Sequence, residues 1–192
     1  SIPDMPDPRD RQSGAHTAAL ISAVDQLARA SNGDALILFT AISTMRQVFD
    51  ATASSLRRAG LEPMIQDRNG PSRAELLRRF QTTAGGVLFA TDSFWEGVDV
   101  PGDALRLVVI TRLPFRVPNE PLQQARHARI EAEGGRPFFE LTLPEAILRL
   151  RQGFGRLIRH RTDRGAVVVL DPRLDTARYG RRFVQALPPA RR

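Results

Sequence analysis

The stretch that decides the fold is residues 35–44, ALILFTAIST. Its first five residues are an uninterrupted apolar run of the length of one strand, which is typical of a strand buried on both faces of a sheet. Hydroxyl residues follow at a strand-to-helix turn, where we expect Ser43 to cap the next helix. Hydroxyls and free amides at such a turn suit a phosphate, although capping alone also accounts for them.

Four more short stretches are predicted to be strands. They cover residues 62–66, 86–90, 105–110 and 166–170, and helical patterns separate most of them. Strands that alternate with helices form a mostly parallel sheet covered on both faces. We therefore predict an α/β fold whose functional loops lie beyond the carboxyl ends of its strands.

Three stretches occupy such strand-end positions, namely residues 40–44, 91–99 and 112–118. The middle stretch, TDSFWEGVD, is the richest in polar chemistry, with two hydroxyls, three carboxylates and a glycine. Such a loop can hold a phosphate, a ribose or a partner arginine. The alternative is an ordinary loop in which Trp95 belongs to the core.

The helical stretch that ends near residue 159 presents Gln152, Arg156 and Arg159 at spacings of four and three, so that they share one stripe. Gly153 and Gly155 flank the stripe, and each costs about 1 kcal/mol relative to alanine inside a helix. That cost is understandable if another backbone or a ligand must come close. The stripe therefore offers an amide and two guanidiniums to an anion, and the alternative is a solvated charged face.

Two capping boxes mark the starts of helices. Ser72 with Glu75 precedes one helix, and Thr142 with Glu145 sets the start of the stripe-bearing helix near residue 143. In each box we expect a side-chain oxygen to accept a hydrogen bond from an amide of the first turn.

The composition points to an anionic partner. All 28 basic residues are arginine, and the net charge is +7. A guanidinium meets phosphate bidentately, so a basic, arginine-rich domain favours nucleic acid or nucleotide phosphate, although a coding bias also explains the missing lysine. Without lysine this chain cannot contain a P-loop, because that loop needs its lysine on the phosphates.

Length and apolar patterning predict one soluble domain. The 192 residues suffice for one sizeable core, and no apolar run is long enough to span a bilayer, so we expect a cytoplasmic location and no membrane partner. The absence of cysteine excludes a disulfide, a thiolate zinc site or an iron–sulfur cluster within this chain. His16, His127 and His160 are isolated, so we expect them at the surface and predict no metal site.

The domain prediction divides the chain into three parts. Residues 1–12, which are rich in proline and aspartate, are expected to form a linker from a preceding domain. Residues 13–187 are expected to form the domain itself, with an irregular insertion at about residues 116–141. Residues 188–192 are expected to be a frayed tail.

Several motifs resemble those of superfamily 2 helicases of the DinG/XPD group. Residues 152–159, QGFGRLIR, look like motif VI, and residues 93–99, SFWEGVD, look like the group's form of motif V. Residues 38–43, LFTAIS, are similar to motif IV. The order and spacing agree, and residues 113–115 (LPF) and 171–173 (DPR) also fit bacterial DinG-like proteins.

The resemblance implies a RecA-like three-layer α/β/α domain with a mostly parallel sheet of five or more strands. It would be the second motor domain of an ATP-dependent 5′–3′ DNA helicase, inactive by itself. In that family the P-loop, the acidic metal motif and the iron–sulfur insertion belong to the N-terminal motor domain. ATP and Mg²⁺ would therefore be shared with that domain of the same polypeptide, and a cluster is possible only in the parent protein.

The resemblance also implies roles for residues. Arg159 would be the arginine finger, Arg156 its neighbour on the phosphates or on the acidic motif of the other domain, and Gln152 a sensor of the γ-phosphate or the attacking water. The residues expected at the nucleotide or at these arginines are Glu96, Gly97 and Asp99. Those expected to contact the backbone of single-stranded DNA, which crosses both motor domains, are Thr40, Ser43, Thr91 and Ser93. A wedge that stacks on a base would then be a second role open to Trp95, besides a place in the core.

An alternative interpretation keeps the RecA-like fold without the motor. The chain would then be a stand-alone nucleic-acid-binding or regulatory module without ATPase activity. An upstream domain with a GK[ST] loop in the same reading frame would favour the motor. A metabolic α/β enzyme is disfavoured, because the sequence contains no constellation of nucleophile and base.

Overall fold

The computed structural model describes residues 5–10, 14–91, 94, 105–116, 121–155 and 165–188. Within these ranges the chain forms seven α-helices and five strands, and a π-helical turn, Phe138–Thr142, leads into the fifth helix. In chain order the elements are α1 (Ala15–Ala30), β1 (Ala35–Phe39), α2 (Ile42–Arg58), β2 (Glu62–Ile65), α3 (Arg73–Thr82), β3 (Gly86–Thr91), β4 (Leu107–Ile110), α4 (Pro121–Ala132), α5 (Leu143–Phe154), β5 (Ala166–Val169), α6 (Arg173–Thr176) and α7 (Gly180–Ala186).

The strands form one parallel sheet with β1 at its centre. Over the described residues the order is β2-β3-β1-β4-β5. In the register of β1, Ala35 lies opposite Val87 of β3 and Leu107 of β4. The predicted α/β fold with a parallel sheet is confirmed, and each of the five predicted strands agrees with an observed strand to within two residues at either end.

Helices cover both faces of this sheet because β1 is apolar on both sides. Ala35, Ile37 and Phe39 belong to one core, which the apolar sides of α1 and α2 complete. Leu36 and Leu38 belong to a second core, on the opposite face, with residues of α3, α5 and α7. The result is three layers, helices on sheet on helices, as the uninterrupted apolar runs predict.

Of the two predicted capping boxes, one is confirmed as a cap. The Ser72 hydroxyl accepts a hydrogen bond of 3.3 Å from the backbone N–H of Glu75, at the start of α3. The box of Thr142 and Glu145 is wrong. Thr142 already has helical backbone, because the π-helical turn runs directly into α5, and its hydroxyl lies 3.1 Å from Nε2 of His127 instead.

The described part of the N-terminal segment packs on the domain. Met5 is only 7% exposed and belongs to the core formed by α1, α2 and one face of the sheet. Of the predicted insertion at residues 116–141, the described residues include α4 and most of the π-helical turn. None of the helices seen in the described ranges is both long and apolar enough to cross a membrane.

A buried ion pair ties the end of β5 to the end of β4. The Asp171 side chain is fully buried and meets Arg173 at 2.6 Å (Nη2 to Oδ2) and 2.9 Å (Nε to Oδ1). Asp171 Oδ2 also accepts a 2.8 Å hydrogen bond from the backbone N–H of Leu113, and the Arg173 guanidinium lies over the ring of Phe115. Burial opposes the charge on Arg173, but the hydrogen bond and charge of Asp171 outweigh it and raise its pKa.

Removing one partner of this pair is predicted to destabilise the fold strongly. Asp171→Ala leaves the Arg173 guanidinium buried without its carboxylate, which typically costs about 3–5 kcal/mol of unfolding free energy. Urea unfolding followed by circular dichroism measures the change. The control is Glu133→Ala, since the pair of Glu133 with Arg129 is largely exposed and such pairs contribute little. Equal losses for the two variants would contradict the prediction.

Candidate functional site

A cavity of about 330 Å³ opens at the carboxyl ends of β1 and β4. The start of α1, the start of α2 and the segment around Pro8 form its other walls. The lining residues that matter for its chemistry are Asp10, His16, Thr40, Ser43, Thr44 and Arg112. The cavity therefore combines hydroxyls, a guanidinium and a helix N-terminus at the sheet edge where functional loops were expected.

The N-terminus of α2 faces this cavity without a polar side-chain cap. The prediction that Ser43 caps α2 is wrong, because the chain turns out of β1 earlier and the cap position is Ala41, with extended backbone at φ −143° and ψ 131°. Among the described residues no side chain caps this end, and Ser43 and Thr44 lie in the first turn. First-turn N–H groups carry partial positive charge and need an acceptor, so this end favours an anion.

Arg112 is the cation that the sequence analysis did not single out. It follows β4 directly, between Thr111, whose hydroxyl and N–H both donate to the Leu38 carbonyl at 2.9 and 3.0 Å, and Leu113, whose N–H donates to Asp171. These bonds fix the backbone on both sides of the half-buried Arg112 side chain. In the sequence, the position of Arg112 directly after an apolar run could have marked it as a strand-end residue. Only the strand order, in which β4 lies beside β1, places it at the same cavity as Thr40.

His16 is buried beside Arg112 rather than at the surface, so that expectation is wrong. Its side chain is 9% exposed, and its Nε2 has no hydrogen-bond partner among the described residues. Burial lowers the pKa of His16, and the positive charges of Arg112 and Arg173 lower it further, while Asp171 and Asp7 act in the opposite direction. The net effect is a lowered pKa of His16, so the cavity wall favours the neutral form of this imidazole.

Of the four residues expected to contact DNA, the three that the structure describes do not all line one cavity. Thr40 and Ser43 line the same cavity. Thr91 lies next to Phe39 in the β1–β3 register. Its hydroxyl and its N–H donate instead to the side chain of Gln66, which follows β2, the other neighbour of β3. Ser93 lies outside the described residues.

The predicted nucleotide-facing stripe is described only at Gln152. This residue is half-buried in the last turn of α5, which ends at Phe154, and the neighbouring Gly153 is buried. The expected sites that lie outside the described residues are Glu96, Gly97, Asp99, Arg156 and Arg159, together with Trp95 and His160. Within the part of the chain that is described, no group of three or more histidine or acidic side chains is arranged to hold a metal ion.

Comparison with known proteins assigns the chain to a family. Residues 24–190 match the family described as the helicase C-terminal domain. The chain belongs to this family. It is 40% identical over 185 residues to the protein named ATP-dependent DNA helicase YoaA of Escherichia coli, and 40% identical over 182 residues to ATP-dependent helicase DinG of Mycobacterium tuberculosis. It is also 39% identical over 165 residues to the 3'-5' exonuclease DinG of Bacillus subtilis.

These matches cover most of this chain but a minor part of each relative. They span 96%, 95% and 86% of the chain, and 28%, 27% and 18% of the three relatives in the order given. Among solved structures, one titled XPD_Helicase superposes with a TM-score of 0.74 at 17% identity, over 96% of this chain and 33% of that one. The helicase C-terminal family and the RecA-like fold predicted from the DinG/XPD resemblance are thereby confirmed.

The burial of His16 predicts a pH dependence of stability. The pKa of His16 in the folded chain lies below the ordinary value of 6.5. Between these two pKa values the unfolded chain binds a proton at His16 and the folded chain does not. The contribution of neutral His16 to the unfolding free energy is complete above its pKa in the unfolded chain. It is lost as the pH falls toward its pKa in the folded chain, at no more than about 1.4 kcal/mol per pH unit. Unfolding free energies measured from about pH 7.5 to 5.5 test this.

In that series His16→Gln is expected to flatten the dependence on pH. His127→Gln is the matched control, because it removes a histidine but keeps His16, and it should retain the wild-type dependence. The same slope in wild-type protein and His16→Gln would show that His16 is not responsible.

Proposed function

We propose that this chain, over about residues 13–187, is the C-terminal motor domain of an ATP-dependent 5′–3′ DNA helicase. The observation that carries the proposal is the anion-suited cavity at the carboxyl edge of a RecA-like sheet, in a member of the helicase C-terminal family. The chain spans less than a third of each of the relatives compared above. The helicase activity therefore belongs, in this proposal, to a longer protein with an N-terminal motor domain.

The cavity is proposed to hold a phosphate of single-stranded DNA. The first-turn N–H groups of α2 would donate to the phosphate oxygens, together with the hydroxyls of Thr40 and Ser43. Arg112 would supply the compensating charge, since it lines the same cavity as the first turn of α2. Such contacts read the backbone and not the bases, which suits a motor that moves along any sequence.

Asp10 gives this proposal an internal test because its charge has the opposite sign. Asp10 lines the cavity, and its negative charge repels an anion there. Removing the charge of Arg112 should therefore weaken DNA binding, and removing the charge of Asp10 should tighten it. A general loss of structure would weaken binding in both variants instead.

The nucleotide half of the proposal rests on the motif resemblance. Arg159 would stabilise the charge that develops on the phosphoryl oxygens, with Arg156 beside it and Gln152 at the γ-phosphate or the attacking water. When bound, ATP with Mg²⁺ supplies the phosphoryl group that is transferred to water. The residues proposed to meet the nucleotide or these arginines are Glu96, Gly97 and Asp99. The lysine-bearing P-loop must come from the N-terminal motor domain, since this chain contains no lysine.

Arg159→Ala in the full-length parent protein is predicted to abolish most of the DNA-stimulated ATP hydrolysis. Loss of an arginine finger lowers turnover by on the order of 10³, while nucleotide still binds. The control is Arg129→Ala, which removes an exposed arginine of α4 and should leave turnover unchanged. Unchanged turnover in Arg159→Ala would refute the finger. A parent that binds DNA but hydrolyses no ATP would favour the stand-alone binding module.

Arg112→Gln is predicted to weaken binding of a labelled oligothymidine to the parent protein. Loss of one phosphate contact should reduce the slope of log affinity against log salt by about 0.7, the value for one charge on a single strand. Asp10→Asn is the matched variant and should tighten binding. Fluorescence anisotropy titrations over a salt series measure both, and an unchanged slope in Arg112→Gln would exclude Arg112 as a phosphate contact.

A further inference from the structure

A glutamine side chain extends the ladder between β2 and β3 beyond the end of β2. The backbone N–H of Gln66 donates to the Phe89 carbonyl at 2.9 Å and continues the regular pairing. At the next position Oε1 of the same Gln66 accepts from Thr91, from the N–H at 2.9 Å and from the hydroxyl at 3.0 Å. The side-chain carbonyl thus takes the place of a main-chain carbonyl that β2 no longer provides.

The chemistry of Thr91 fixes which atoms are donors. A backbone N–H can only donate, so the Gln66 atom that it meets must be the carbonyl oxygen and not the amide nitrogen. The Thr91 hydroxyl meets the same oxygen and must therefore donate as well. Only lone pairs remain on that hydroxyl, and a phosphate oxygen needs a donor. While this contact is intact, the Thr91 hydroxyl cannot donate to DNA.

The residue after Gln66 is bonded to α2. Oδ1 of Asp67 accepts a hydrogen bond of 3.0 Å from Nη2 of Arg46 in α2, and the same oxygen accepts from the N–H of Asn69 at 3.3 Å. A continuous set of bonds therefore runs from α2 through residues 66 and 67 to Thr91. The Arg46–Asp67 pair is partly exposed, so the two bonds from Thr91 to the Gln66 side chain contribute more to fixing the end of β3 than the link to α2 does.

Thr91 directly precedes residues 92–99, which include the residues proposed for the nucleotide and Ser93. We propose that Gln66 is a positioning residue, whose side-chain carbonyl fixes the main chain at Thr91 and hence the point at which residues 92–99 begin. We call the two bonds from Thr91 to the Gln66 side chain the brace. The Thr91 hydroxyl acts in this brace instead of on a DNA phosphate. The link to ATP turnover rests on the proposed function, whereas the brace itself does not.

The first test compares two substitutions at residue 66 in the full-length parent. Gln66→Met keeps the length of the side chain but removes the acceptor, and Gln66→Glu keeps an acceptor oxygen. We expect Gln66→Met to lower the kcat of DNA-stimulated ATP hydrolysis by about two- to tenfold, the size expected for one lost hydrogen bond. The DNA concentration for half-maximal stimulation should stay within about twofold, and Gln66→Glu should retain the wild-type kcat.

A double-mutant cycle with Thr91→Val decides the role of the hydroxyl. If it acts only through Gln66, Thr91→Val should lower kcat in the wild type but change little in the Gln66→Met background. Were it a phosphate donor, Thr91→Val would raise the half-maximal DNA concentration equally in both backgrounds. That result, or a Gln66→Glu variant as impaired as Gln66→Met, overturns the proposal.

Hydrogen exchange at the Thr91 amide tests the brace without any ATPase reaction. We expect faster exchange in Gln66→Met than in wild-type protein or Gln66→Glu, and unchanged exchange in Gln185→Met, a control at an exposed glutamine of α7. Equal protection in all four proteins overturns the brace. If the wild-type parent shows no DNA-stimulated ATP hydrolysis, the proposed function fails, and the exchange result still decides the brace.

Discussion

The burial of β1 on both faces is the constraint on which the other elements depend. Each of its five side chains is at most 1% exposed, and alternate residues belong to two different cores. Helices must therefore cover both faces of the sheet, and crossover connections make the described strands parallel. Parallel strands bring their carboxyl ends to one edge, so polar residues far apart in the chain meet where β1, β3 and β4 end.

Side chains fix the strands at this edge, where the main-chain ladder stops. Gln66 accepts from the end of β3, Thr111 donates from the end of β4 to the Leu38 carbonyl, and Asp171 accepts from Leu113. Gln66 and Asp171 replace main-chain acceptors that the sheet no longer provides, whereas the Thr111 hydroxyl adds a second bond to a carbonyl that its own N–H already meets. The segments that leave the sheet here therefore start from fixed points, which is what a precisely placed functional site requires.

The arginine-only basic composition of the chain and the geometry of its cavity are each consistent with contacts to phosphate groups. Its basic residues are arginines only, so it can contact phosphate bidentately but cannot supply a P-loop lysine. The uncapped N-terminus of α2, the hydroxyls of Thr40 and Ser43 and the guanidinium of Arg112 surround one cavity. The proposed division of labour gives the P-loop to one motor domain and the trans-acting arginines to the other.

The sequence by itself determined the strands, the layers and the family, because an uninterrupted apolar run and a contiguous motif are local features. It also determined that no P-loop lysine is present. Only the tertiary structure decided the burial of His16, the Ala41 cap in place of Ser43, the meeting of Arg112 with Thr40, and the bond of Gln66 to Thr91. The last two of these features depend on which strand ends are neighbours in the order β2-β3-β1-β4-β5, and local periodicity does not encode that order.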